Sequence, residues 1–176
     1  QSAVAALSAS GGGDEPESHL AALTAMATGM GLAGTSIPGG SLADRTDCPM
    51  ATFGYPCFRS GAVPIVVLIS DAPMHGGPPS DSDPYDMTAL GATAPTYAET
   101  VTALTDARAR VISVAVRATA SSDIRTQMSQ LATDTGALDA TGLPLVSSAA
   151  DGAVSGSVIN QIRALANQAP IDISLE

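Results

Sequence analysis

The chain has 176 residues, the size of one domain rather than two, and a compact domain of that length buries roughly 70% of its unfolded-chain surface. Seventeen acids against seven bases give a net charge of −10, and every base is Arg. That balance argues against nucleic acid and anionic membrane surfaces and suits solubility or cation binding. No apolar run approaches the roughly 18 residues of a membrane span. Gln1 is not an initiator Met, which leads us to expect a mature or trimmed piece.

In chain order, residues 1–9 (QSAVAALSA) are Ala-rich and read as the end of a helix. After a break at 10–13, DEPESHLAALTAMATGMG predicts a helix. Leu20, Leu23, Ala27 and Met30 share one face, and Gly29 and Gly31 offer stops. Residues 32–62 read as a Gly- and Pro-containing loop. VPIVVLI at 63–69 is short, β-branched and continuously apolar, the pattern of a strand buried on both faces. Pro64 is tolerable only near its start. Residues 72–95 carry five Pro and several Asp, and a loop that long in a compact domain is usually functional or mobile.

Residues 96–109 predict a helix with Tyr97, Val101 and Leu104 on one face, and VISVAV at 111–116 predicts a second buried strand. Ser121 or Ser122 can cap a further helix carrying Ile124, Met128 and Leu131, with Gly136 as its stop. Residues 137–147 read as a hairpin or a strand with a turn at Thr141-Gly142. Ser155 can cap a last helix carrying Val158, Ile162 and Leu165, and IDISLE at 171–176 begins a strand or a tail. Helices alternating with buried strands indicate an α/β fold with a mostly parallel sheet and helices on both faces, in which ligands bind beyond the C-terminal strand ends. Asp71 follows VPIVVLIS at such an end. No GxGxxG or GxxxxGK[ST] stretch is present, so neither nucleotide fingerprint has support.

The chemical inventory is small: two Cys, two His and no Lys. Cys48 and Cys57 enclose eight residues rich in turn formers. They either close a local disulfide, which the even count and spacing favour and which implies an oxidising compartment, or remain two thiols. Neither His lies at a zinc-finger spacing from them. Asp14 can be an N-cap with Pro16 early in the helix and Glu17 at its third position, a capping box in an Asp variant. Asp71 can be a plain turn residue. His75 reads as a packing or hydrogen-bonding side chain near the Asp71 turn. A Ser70, His75 and Asp71 triad lacks a GxSxG elbow, and His19 makes no HExxH motif. The 81–86 cluster (DSDPYD) lacks the Gly and Glu of an EF-hand and reads as a solvated acidic loop.

Jointly, Asp14-Glu15-Pro16-Glu17 before a helix and Asp71-Ala72-Pro73-Met74-His75 after a buried strand resemble the integrin-β-type von Willebrand factor A domain. The resemblance covers residues 1–170. It implies a three-layer, Rossmann-like sheet with helices on both faces. It also implies that Glu17 ligates the divalent ion of a metal-ion-dependent adhesion site and that Asp71 holds that ion, often through water or by a contact one layer out from the ion. Asp14 and the Pro16 carbonyl would serve a neighbouring calcium site. Oxygen donors of this kind suit Mg²⁺ or Ca²⁺. The family's Asp-x-Ser-x-Ser strand is absent, and Gly12 stands where integrins carry an Asn ligand. The N-terminal part of the domain is therefore expected to be missing, and cation binding in this chain alone to be weak or absent. An upstream segment or another chain would complete the sheet, whose 63–69 strand would otherwise present an apolar open edge.

The expected function is that of a secreted or cell-surface module, not an enzyme, that binds a protein ligand or partner subunit, with no nucleic acid and no membrane span. The alternatives are a metal-free assembly module that uses the same fold for subunit contacts, and a hydrolase with an acidic metal centre.

Overall fold

The structure is a computed structural model that describes residues 15–34, 41–79, 83–116, 122–149 and 154–167. The predictions for residues 1–9, for Asp14 and for residues 171–176 lie outside the described residues.

Helix α1 (His19–Thr28) starts later than the sequence suggests, with Ser18 as its N-cap residue. Gly29 ends it at φ 78°, a left-handed position where Gly carries no Cβ penalty, and its N–H donates to the Ala25 carbonyl at 2.8 Å. Leu20, Leu23 and Ala27 are buried as the helical period requires, whereas Met30 lies past the helix and is exposed. Glu17 precedes the helix, so the predicted capping box does not form there. Its backbone instead makes a parallel bridge with Met74.

Strands β1 (Thr52–Phe53) and β2 (Phe58–Arg59) form an antiparallel pair that the sequence reading left as loop. Two-residue strands are too short to show an alternating pattern. The Cys48–Cys57 disulfide is formed, with an S–S distance of 2.05 Å, and braces this pair. The hairpin sits on the end of α1. The Tyr55 N–H donates to the Met26 carbonyl at 3.1 Å, and the Arg45 N–H to the Gly29 carbonyl at 2.7 Å.

Next come β3 (Ile65–Ser70), the short α2 (Met87–Leu90), α3 (Tyr97–Asp106) and β4 (Arg110–Ala115). The two strands are parallel neighbours, with Val66 opposite Val111 and Ser70 opposite Ala115, and α3 makes the crossover between them. A capping box starts α3. The Glu99 N–H donates to the Thr96 hydroxyl, and the Thr96 N–H donates back to the Glu99 carboxylate at 2.8 Å. Helix α4 (Ser122–Asp134) buries Ile124, Met128 and Leu131 as predicted, and leads to β5 (Val146–Ser148) and α5 (Val154–Ala166). The turn before β5 forms where Thr141-Gly142 predicts it. The Asp139 carboxylate accepts from the Thr141 and Leu143 N–H groups, and Leu138 bridges Pro144.

The fold is mixed α/β: a three-stranded parallel sheet in the order β3-β4-β5, plus the antiparallel hairpin. Central β4 is the strand buried on both faces, with Val111 through Ala115 all inaccessible. Residues alternate along it between two packing clusters. Val111 and Ala115 join Leu20, Leu23, Leu104, Met128 and Leu131, while Ile112 joins Leu145, with Val67, Ala164 and Leu165 against it.

Two expectations are corrected here. β3 is not buried on both faces: Ile65 is 39% and Ile69 50% exposed, and Val63 just before the strand is 57% exposed. Among the described residues no strand pairs with its outer side. In α5, Ser155 lies inside the helix and Ile162 is partly exposed. The buried position belongs to Gln161, whose Nε2 donates to the Ser113 carbonyl and the Ser147 hydroxyl, both at 2.9 Å.

Candidate functional site

β3 delivers the chain to the C-terminal end of the sheet, and Ser70 turns it there. The Ser70 hydroxyl accepts from the Ala72 N–H at 3.1 Å and donates to the Ala72 carbonyl at 3.2 Å. Asp71, at the apex of this turn, is exposed. Ala72 and Met74 then dive into the core, and the Met74 N–H is received by Gln127 Oε1 on α4 at 2.7 Å.

Glu17 meets this segment through its backbone. The Glu17 N–H donates to the Pro73 carbonyl at 2.9 Å, and the Glu17 carbonyl accepts from the His75 N–H at 3.2 Å. The two motifs singled out in the sequence, 54 positions apart from Glu17 to Asp71, are thereby laid side by side at one end of the sheet. Glu17 is exposed like Asp71, and Pro16 is buried. Asp14 lies outside the described residues.

Three rings pack around the junction. His75 stacks on Tyr85 with centroids 4.7 Å apart, and its Nδ1 lies 2.8 Å from the Asp83 carbonyl, which matches the packing and hydrogen-bonding role expected for it. Burial lowers the His19 pKa below its ordinary value. The Glu17 carbonyl and the Asp71 charge oppose that shift, and nearby His75 adds to it. Burial raises the Tyr85 phenol, and the Glu17 charge pushes it the same way; Ser18 and the Ala21 backbone lower it in part. Even so, His19 Nδ1 and Tyr85 Oη are buried without a hydrogen bond of normal geometry among the described residues. Asp86, from the acidic cluster, caps α2 by accepting from the Thr88 and Ala89 N–H groups, at 3.0 and 2.9 Å. Ser70 is engaged with Ala72 and His75 with Asp83, so neither contact pairs a nucleophile with a base.

The donors at this junction are oxygens and suit a hard cation in kind. In number they fall short. Among the described residues no three His, Cys, Asp or Glu side chains are grouped to hold an ion. Glu17 and Asp71 bring two exposed carboxylates to this end of the sheet. No helix among the described residues is long and apolar enough to cross a membrane.

Comparison with protein-family models, with curated proteins and with solved structures finds no match.

Sequence reasoning did not anticipate Gln127, Tyr85 or the Asp83 carbonyl. Gln127 left a signal, because it occupies the i+3 position of the Ile124, Met128, Leu131 stripe, and a polar residue on an apolar stripe needs a buried partner. Tyr85 and Asp83 sit in an irregular segment whose contacts no period encodes.

Proposed function

We propose that this chain is the second part of an integrin-β-like von Willebrand factor A domain, a three-layer sheet with helices on both faces. In this reading it works as a secreted or cell-surface ligand-binding module rather than as an enzyme. The single observation that carries the reading is the parallel bridge of Glu17 with Met74, three residues past Asp71. Neither motif predicts that pairing alone, and a shared ion needs the two segments to be neighbours.

Glu17 and Asp71 would hold a Mg²⁺ or Ca²⁺ ion, and Asp14 with the Pro16 carbonyl a neighbouring one. The ion would present an open position to a carboxylate of the protein ligand. In this chain the residues' own work is to orient: the Pro73 and Glu17 carbonyls fix the backbone that carries both acids. The outer side of β3, unpaired among the described residues and with Ile65 and Ile69 exposed, favours completion of the sheet by an upstream segment or a partner chain. The same edge favours the second reading, a metal-free assembly module whose sheet joins a partner subunit.

Calorimetric titration of Mg²⁺ and Ca²⁺ separates the two. The first reading predicts weak cation binding by this chain, stronger binding when the completing segment is present, and loss of both in Glu17→Gln and Asp71→Asn. Heat of binding that is absent in both forms, or unchanged by both substitutions, favours the assembly module.

A further inference from the structure

Asp71 and Glu17 lie on segments that have no regular secondary structure of their own, so something must fix their separation. The bridge supplies only two backbone hydrogen bonds, Glu17 N–H to Pro73 and His75 N–H to Glu17. Exposed backbone bonds of this kind open readily unless side chains cover them. The side chains beside the bridge are aromatic. His75 carries one of the two bridge donors and stacks on Tyr85 at 4.7 Å. The same imidazole reaches the Asp83 carbonyl at 2.8 Å, and the adjacent Gly76 N–H donates to that carbonyl at 3.3 Å. Tyr85 in turn is half-buried beside Ser18 and Ala21 at the start of α1. The segment carrying Tyr85 thus touches both halves of the site.

We infer that the His75–Tyr85 ring pair is a latch that holds the Asp71–His75 turn against the start of α1 and so sets the spacing of the Glu17 and Asp71 carboxylates. Tyr85 and His75 act as positioning residues, not as ligands; the inference rests on the adhesion-site reading for its functional consequence and on the ring geometry for the latch itself. An aromatic pair contributes about 0.5–1.5 kcal/mol beyond its buried area, which corresponds to roughly a threefold to tenfold change in a local opening equilibrium. Tyr85 Oη makes no hydrogen bond of normal geometry among the described residues, and the ring contact with His75 is the one assigned to the latch.

Amide hydrogen exchange on the whole chain tests the latch without any metal. Tyr85→Ala should speed exchange of the Glu17 and His75 amides by roughly tenfold, counting the lost burial with the lost stack, whereas Leu104→Ala, which strikes the core and not the latch, should speed the β4 amides of residues 111–115 and leave those two at their original rates. Tyr85→Phe, which keeps the ring, should stay within about twofold of the parent at all of them. Should Tyr85→Ala not fold, His75→Leu is judged by the same selective criterion. Unchanged Glu17 exchange in Tyr85→Ala, acceleration of the Glu17 and His75 amides by Leu104→Ala as large as that by Tyr85→Ala, or a Tyr85→Phe effect as large as that of Tyr85→Ala overturns the latch. A cation titration then separates the two ideas. If the parent binds no cation, the adhesion-site reading fails while the exchange result still judges the latch. If the parent binds, the latch predicts weaker binding in Tyr85→Ala at a temperature where that variant stays folded, and equal affinity contradicts it.

Discussion

Replacing Gly77 by Ala should destabilise the protein by an amount that its neighbour Gln127 determines. A Cβ built at Gly77 runs into the Gln127 side-chain amide, with the Gln127 Cδ only 2.6 Å away. Gln127 is 2% exposed and cannot simply swing into solvent. Its Oε1 also receives the buried Met74 N–H at 2.7 Å. The substitution therefore forces an overpacked arrangement, costing about 1–3 kcal/mol. If Gln127 yields, a buried N–H is left unpaired at a cost of about 1–3 kcal/mol. These are two outcomes of one clash, so the loss should be about 2–3 kcal/mol rather than the sum. Urea unfolding is the assay. With a slope of about 1–3 kcal/mol per molar, the midpoint should fall by roughly 1 M at constant slope. Gln127→Ala alone should cost about 1–3 kcal/mol through the orphaned Met74 N–H. Adding Gly77→Ala to it should cost little more, because the obstructing atoms are gone. A Gly77→Ala loss under about 0.5 kcal/mol, or full additivity of the pair, would refute the reasoning.

Removing the disulfide with Cys48→Ala and Cys57→Ala should lower stability by about 2–3 kcal/mol, the loop-closure entropy of so short a loop; an unchanged thermal midpoint contradicts it. Stability should also fall as pH drops below about 6.5. Burial holds the folded-state pKa of His19 beneath its ordinary value of 6.5, so the unfolded chain takes up the proton first. The His19 contribution is complete above that value and is lost as pH falls through the folded one. His19→Gln should flatten this part of the stability–pH curve, and identical slopes in the two proteins would count against it. Leu104→Ala, at a site with no solvent exposure in the core cluster shared by α1, α3 and β4, should cost about 2–5 kcal/mol by urea unfolding, and a loss under 1 kcal/mol would place Leu104 outside the core.

The parts of the fold written locally were legible. β4 announces itself because all five residues from Val111 to Ala115 are sealed on both sides, which favours an apolar run, here interrupted only by Ser113. α4 shows its buried face through Ile124, Met128 and Leu131 at helical spacing. The capping box of α3 was equally visible in Thr96-x-x-Glu99, yet the stronger apolar period drew the reading first. What was not legible depends on distant partners. VPIVVLI reads like β4, and only the sheet order reveals that, among the described residues, its outer side is unpaired. Glu17 fits a capping pattern one turn too early, and the choice against the helix is made by the Pro73 carbonyl far along the chain. The disulfide was readable from its spacing, but the β1–β2 pair it braces was not. At the candidate site, the sequence supplied Glu17 and Asp71. Their juxtaposition and the ring cluster beside them come from tertiary contacts.

The most direct test of the central claim is paramagnetic broadening by Mn²⁺, which replaces Mg²⁺ at oxygen sites and reports even weak binding. Titrated into the ¹⁵N-labelled chain, Mn²⁺ should first erase the amide signals of Glu17, Asp71 and Ala72, and excess Mg²⁺ should restore them. The same titration of Asp71→Asn should leave those signals sharp. Broadening that begins instead around Asp83 and Asp86, or that spreads over all exposed acids without preference, would contradict a shared cation site at the junction of the two motifs.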